Sequence, residues 1–448
     1  MRVESRLSWL AAAAGPALCA AVAVVGADAR WLAALGGAIT HAGHIPASVP
    51  YAAAPSHDWV NVPALGELIF HWMWALGGER GLVLAQTVAV ALTFALLVRD
   101  MRGAHAPDSA SALVLVLLPF AAVASLFIVR AQLFSLPMFA LTLLLLRNES
   151  RAPSRRIWML VPLVVLWSNL HGGVLVGFAT AAVYLLVERV RTERWTAVAV
   201  LLASAAALFA TPGLLRTAEY YAGVFHSEPA RSGFGLWASM SLHNPLDVVF
   251  VVVAAPLMWF AVRTRLKAWE LSSITMLTVA AVHVSRNSIW LLLFIACPAA
   301  VGIGATRVRN ARGAGGLVQL CAWVVPLVLL VAGLTRDPAQ TVAAMPLRAQ
   351  AAKLAAGRPI LADAEDAEAL ALDGRRVWIA NLIDAFDERD QDAYLSWLKG
   401  EARGDVLLRR SSVVLVRTGT PPQRRIARER SFREVARDRA AVLYRRVS

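Results

Sequence analysis

The chain has 448 residues, 58% of them hydrophobic and 17% charged, with a formal net charge of +14. So many apolar runs exclude an ordinary water-soluble enzyme and mark a polytopic membrane protein. The basic excess argues against a nucleic-acid partner, because much of it lies in short loops between apolar runs, where Lys and Arg orient a membrane protein.

Apolar runs lie near residues 8–26, 81–98, 111–129, 133–146, 157–168, 172–187, 196–212, 247–262, 271–284, 288–304 and 316–334. They predict a membrane all-α protein of about eleven transmembrane helices. Every second connection is basic: Arg2/Arg6, Arg99/Arg102, Arg147/Arg151/Arg155/Arg156, Arg189/Arg191/Arg194, Arg263/Arg265/Lys267 and Arg307/Arg309/Arg312. By the positive-inside rule those loops are cytoplasmic, so the N-terminus is in and the C-terminus out. The first run ends Val25-Gly26-Ala27-Asp28-Ala29, small residues that also fit signal-peptide cleavage, but the loop parity favours an uncleaved crossing. The cysteines Cys19, Cys297 and Cys321 fall inside apolar runs and read as small core residues.

The outer loop 27–79 holds Trp31-Leu32-Ala33-Ala34-Leu35 and Leu65-Gly66-Glu67-Leu68-Ile69-Phe70, which read as short amphipathic helices on the membrane surface. After the membrane domain, residues 1–334, the segment 335–448 is charged and mixed in pattern. Its strand-like runs, Pro359–Ala362, Val377–Ala380, Asp405–Leu408, Val413–Val416 and Val442–Tyr444, predict a small extracytoplasmic α/β domain.

Polar residues inside the apolar runs need a reason. From Ile157 to Val187 there are 31 residues, where two full crossings need roughly 20 each. The turn Trp167-Ser168-Asn169-Leu170-His171-Gly172-Gly173 is therefore expected below one membrane surface, facing protein or a wet cavity rather than lipid. Arg130 and Gln132 interrupt another short pair, and a permanently charged planar guanidinium there suits a phosphate, with an acidic partner or snorkelling as the alternatives. His283 and Arg286, three apart, are expected to share a helix face at the outer end of the ninth span. Asp28, directly after the first crossing, is placed to act as general base or else to cap a helix. Asp28, His57 and Asp58 are the candidate ligands for a divalent metal, without a supporting H-x-x-x-H, HExxH or CxxC spacing.

The order of Asp28-Ala29-Arg30-Trp31, Ile45-Pro46, Trp59 with Glu67, Arg130-Ala131-Gln132-Leu133-Phe134, Trp167-Ser168-Asn169-Leu170-His171-Gly172-Gly173 and His283 with Arg286 resembles the GT-C superfamily. These are polytopic glycosyltransferases of the mannosyl- and aminoarabinose-transferase-like kind that use polyprenyl-phosphate sugars, and the likeness is to an uncharacterised bacterial branch of them. The resemblance implies transfer of a sugar from a polyprenyl-phosphate donor to a lipid, glycan or protein acceptor at the outer leaflet of the bacterial inner membrane. It implies Asp28 as base, with Glu67 or Asp58 as substitutes, and Arg130, Gln132, Asn169, His171, His283 and Arg286 as substrate-binding residues. This chain has Leu32, Val49 and Pro63 where such relatives carry a histidine and two acids. Those departures favour the alternative, a catalytically degenerate scaffold or lipid-glycan binder; a secondary transporter fits less well, because the polar residues cluster toward one face.

Overall fold

A computed structural model of the protein describes residues 6–26, 28–56, 59–233, 235–305, 345–380 and 385–447. These residues are mostly helical, with a small sheet toward the C-terminal end. Four helical stretches are long and apolar enough to cross a membrane: Ala64–Gly103, Ala131–Arg151, Pro245–Val262 and Ser285–Ala305. Leu7–Val22 and Asp108–Ala121 are shorter apolar helices. The expected crossing at 316–334, together with Cys321, His57 and Asp58, lies outside the described residues. The chain forms two compact units, one within Met1–Val24, Val83–Thr211 and Gly235–Arg336, the other within Val25–Leu82, Pro212–Phe234 and Asp337–Ser448.

The first unit is a helix assembly whose surface is hydrocarbon. Leu84, Leu92, Phe120, Leu186, Leu202 and Val252 are all exposed. Each such side chain left in water forgoes about 1.5–3 kcal/mol of transfer free energy, whereas lipid imposes no such cost. Among the described residues, the basic loops near Arg147, Arg189 and Lys267 gather at one end of this unit. Buried Arg147 pairs with Asp100 and donates to the Phe294 carbonyl at 2.6 Å. Buried Arg189 faces Glu149 at 3.5 Å and donates to the Ser154 carbonyl at 3.1 Å. Lys267 Nζ reaches Glu188 at 2.8 Å. Removing either partner of such a buried pair would strand a charge, so the pairs fix these loops together. Cys19 and Cys297 are buried free thiols, as small core residues should be.

The expectation of two truncated crossings around Trp167–Gly173 holds for the first and fails for the second. Leu160–Ser168 is a 9-residue helix preceded by a 3-10 turn, Arg155–Met159. After Val174–Tyr184, by contrast, the helix passes through a π turn, Leu185–Arg189, and continues until its φ/ψ break at Glu193. That run of about 20 residues rises about 30 Å, the thickness of the hydrocarbon layer, although its last turns carry Glu188, Arg189 and Arg191 and it is not among the four apolar stretches. The apolar pattern stops at Val187 because Glu188 and Arg189 are charged, but both are paired across the unit, so the helix has no reason to stop there.

The second unit is built on a four-stranded sheet. Its strands are β1 (Ile360–Ala362), β2 (Val413–Arg417), β3 (Phe432–Arg437) and β4 (Ala441–Arg446), in the spatial order β1-β2-β4-β3. β1 and β2 are parallel; β2 with β4 and β4 with β3 are antiparallel. Val377–Ala380 makes isolated bridges to Ala52 and Ile360 in place of the expected strand. The expected strand at Asp405–Leu408 is instead a helix, Asp405–Arg410. Leu407 and Leu408 are both buried there, and Asp405 accepts two hydrogen bonds from Arg425 at 3.0 and 2.5 Å.

The outer loop is corrected in one half. The helix Ala29–Ala42 does not lie on a membrane surface: Trp31, Ala34 and Leu35 join Val49 and Ala54 in one core with Leu361, Leu370, Val414 and Leu443 of the C-terminal segment. The second expected surface helix is the first part of Ala64–Gly103, which is broken at Gly77 and Gly78. Gly78 has φ 56°, a left-handed value that glycine takes without strain. Trp72 and Leu76 remain exposed just before the break.

Candidate functional site

Within the first unit, the turn between Leu160–Ser168 and Val174–Tyr184 is held by one hydrogen-bond chain. Buried Trp167 donates its indole N–H to Ser135 Oγ at 2.7 Å, and that oxygen lies 2.7 Å from His171 Nδ1. The Gly173 backbone N–H also donates to His171 Nδ1, at 3.1 Å. A ring nitrogen that accepts a backbone N–H carries no proton of its own, so the His171 proton sits on Nε2, which becomes a directed donor. Gly173 is required by closeness: a Cβ there would stand 2.6 Å from Ser135 Oγ and 2.9 Å from His171 Nδ1. Asn169, half-buried, is committed to backbone, donating to the carbonyls of Val165 at 2.8 Å and Ala210 at 2.7 Å. It fastens the turn to the end of the helix Val190–Ala207.

Arg130 lies where the sequence demanded an explanation, at a break between helices. The chain is extended at Arg130 (φ −161°, ψ 170°), follows with a 3-10 turn, Ala131–Phe134, and then enters the helix Ser135–Arg151. Arg130 and Gln132 are both buried, and the guanidinium donates to Gln132 Oε1. Gln86, fully buried, donates to the Ser125 and Leu126 carbonyls that the preceding helix end leaves open, at 3.2 and 3.0 Å.

His283 and Arg286 do not share a helix face. The helix ends at His283, Val284 is extended (φ −138°, ψ 109°), and Arg286 sits in the 3-10 turn Ser285–Asn287. The break is held by backbone bonds from Ser285 N to the Ala238 carbonyl at 3.0 Å and from Met240 N to the Val282 carbonyl at 3.1 Å. His283 is exposed, whereas Arg286 stacks on Trp237, 3.7 Å from its ring centroid. Both Arg130 and Arg286 act electrostatically on His171. Arg130, His171 and Arg286 thus sit at three separate breaks in the helical pattern.

The acids belong to the second unit. Asp28 is no helix cap: it precedes Ala29–Ala42 without a side-chain capping bond and holds φ 85°, a left-handed conformation that costs a non-glycine residue about 1–3 kcal/mol. Its backbone N–H donates to Glu368 Oε1 at 3.2 Å. Glu368 is buried, and that burial, followed by the nearby Asp28 charge, pushes its carboxyl up to about 8. Separated by 340 positions, the pair is outside the reach of sequence reasoning. Glu67 is fully buried, with Oε2 accepting from Asn61 Nδ2 at 2.6 Å, a carboxyl that holds the loop rather than one open to an acceptor. Arg30, also missed in the sequence, is buried against Glu79, with Nε and Nη2 at 2.9 and 2.5 Å from one oxygen. Among the described residues no group of three or more His, Cys, Asp or Glu is arranged to hold a metal ion.

The structure superposes on the crystal structure of ArnT from Cupriavidus metallidurans bound to undecaprenyl phosphate, with a TM-score of 0.58 at 14% identity, over 99% of this chain and 97% of that one. The chain shares the fold of that protein. ArnT in the apo state matches with a TM-score of 0.55 at 14% identity, over 95% and 94% of the two chains. The cryo-EM structure of the arabinofuranosyltransferase AftD from mycobacteria also matches with 0.55 at 14% identity, over 99% of this chain and 42% of AftD. No protein-family model and no curated protein sequence matches the chain.

Proposed function

We propose that this GT-C-fold chain is an integral-membrane glycosyltransferase that takes a sugar from a polyprenyl-phosphate donor and passes it to an acceptor at the outer leaflet of a bacterial inner membrane. The reading is supported by the placement of Arg130, His171 and Arg286 at breaks between apolar helices, where the charges of both arginines are felt at His171. A planar, permanently charged guanidinium matches the oxygens of a phosphate, and a lipid phosphate brings such a group to the membrane. In this reading the protein has about eleven crossings with its N-terminus in the cytoplasm and its C-terminal segment outside, as the basic loops dictate.

The chemistry is a substitution at the anomeric carbon. The bond from that carbon to the phosphate oxygen breaks, its electron pair stays on the phosphate, and the acceptor oxygen forms the new glycosidic bond. Arg130 and Arg286 stabilise the charge that grows on the leaving phosphate, and His171 donates to it from Nε2. Gln132 orients Arg130. Asp28 takes the acceptor proton; its left-handed backbone is held by the bond from its N–H to Glu368. Purified protein supplied with a radiolabelled polyprenyl-phosphate sugar and an acceptor should form glycosylated product, and Asp28→Asn should lower the rate by about 10² or more.

A second reading, a lipid-glycan binder without turnover, is favoured by one observation. Leu32 and Val49, where the resemblance leads one to expect polar groups, are buried apolar core residues. Donor binding without product in the same assay supports that reading and contradicts the first.

A further inference from the structure

The second unit contains a cavity of about 650 Å³ that shares no residue with the Arg130–His171–Arg286 cluster. Buried Arg30, Glu79 and Arg348 line it together with exposed Lys353, Asp373 and Arg375. Basic side chains thus outnumber acidic ones by four to two. Arg30 and Glu79 neutralise one another at 2.5 Å. Arg348 is 7% exposed and its Nε faces Asp366 Oδ1 at 3.9 Å, an ion pair too long for a hydrogen bond, so both atoms lack a hydrogen-bond partner, while the other Asp366 oxygen lies 3.5 Å from Arg417. Burial, outweighing Asp366, pulls its guanidinium below the ordinary arginine value. A buried guanidinium whose N–H finds no acceptor within hydrogen-bond distance costs free energy, and Arg348 is one of the residues that line the cavity. Trp74 supplies an aromatic wall to the same cavity.

We propose that this cavity is a second anion site, which takes a sugar bearing a phosphate. Arg348 binds the phosphate, Lys353 and Arg375 draw it in from the rim, and Trp74 lies against the sugar ring. The volume admits a phosphorylated saccharide with room to spare, whereas a bare phosphate would leave Trp74 unused. The site stands on binding alone and does not require the chain to be a glycosyltransferase, so its failure is distinct from failure of the transfer reaction.

The test is a calorimetric titration of full-length protein in phosphatidylcholine nanodiscs with glucose 1-phosphate, inorganic phosphate and glucose. Glucose 1-phosphate should bind, and bind more tightly than either other probe. Arg348→Gln should weaken it by about tenfold or more, the loss expected for one charge-assisted contact. The double variant Lys353→Ala/Arg375→Ala, on exposed positions that leave the fold intact, should weaken it as well. Adding phosphatidylglycerol to the nanodiscs separates the sources: competition means that the phosphosugar arrives on a lipid, and its absence means a free one. Unchanged affinity in the rim double variant, or glucose binding as tightly as its phosphate, overturns the proposal.

Discussion

At the scale of single residues, the unusual groups act through their neighbours. Glu368 keeps its proton in the folded protein to about pH 8, whereas an unfolded Glu releases it near 4.5. Between those values the unfolded chain binds fewer protons than the folded one. Stability from this group is therefore fully present below about pH 4.5 and is lost as pH rises through about 8. Glu368→Gln should flatten that dependence and raise the thermal midpoint at pH 9, with a gain on the order of 4 kcal/mol or less. Thermal unfolding of both proteins at pH 5 and pH 9 checks this, and an equal difference at both pH values contradicts it. Ser135 is the hinge of a different network. Ser135→Ala removes the shared partner of Trp167 and His171 and should cost about 1–3 kcal/mol, read as a lower unfolding midpoint in detergent.

At the scale of elements, the Trp167–Gly173 turn depends on two helices approaching more closely than side chains allow. A Cβ on Gly177 would stand 2.2 Å from the Trp167 ring. Gly177→Ala should therefore push Trp167 off Ser135 and cost about 1–3 kcal/mol, with a change in tryptophan fluorescence as its signature. A fluorescence spectrum and midpoint equal to wild type would show that the ring does not pack there. Much of this element was legible in the sequence, because Arg130, Gln132, His171 and the paired glycines have no place against lipid. What was illegible has physical reasons. The apolar face of Ala29–Ala42 suits either lipid or protein, and pattern alone does not tell which one covers it. β3 reads as polar chain because it is an edge strand, with Arg433, Glu434 and Arg437 on it and Phe432 as its buried member; charge on an edge keeps other strands from adding to it. The helix past Val187 was missed because Glu188 and Arg189 resemble a loop until their partners Lys267 and Glu149 are known.

At the scale of the whole molecule, the chain combines two chemistries under one fold. The helical unit exposes hydrocarbon and keeps its charge in pairs at one end, while Ser135, which touches His171, lies toward the other end of the helix Ser135–Arg151, about 18 Å along its axis from Arg147. That separation fits the proposed function, in which paired charge lies on one side of the membrane and a polar, protein-lined site on the other. The claim on which the rest depends is that the Arg130–Arg286 cluster holds a lipid phosphate. Binding of undecaprenyl phosphate to the purified protein, followed by native mass spectrometry, tests it directly. Wild-type protein should retain the lipid, and Arg130→Ala and Arg286→Ala should each weaken it by about tenfold or more. Equal retention by wild type and both variants would contradict it.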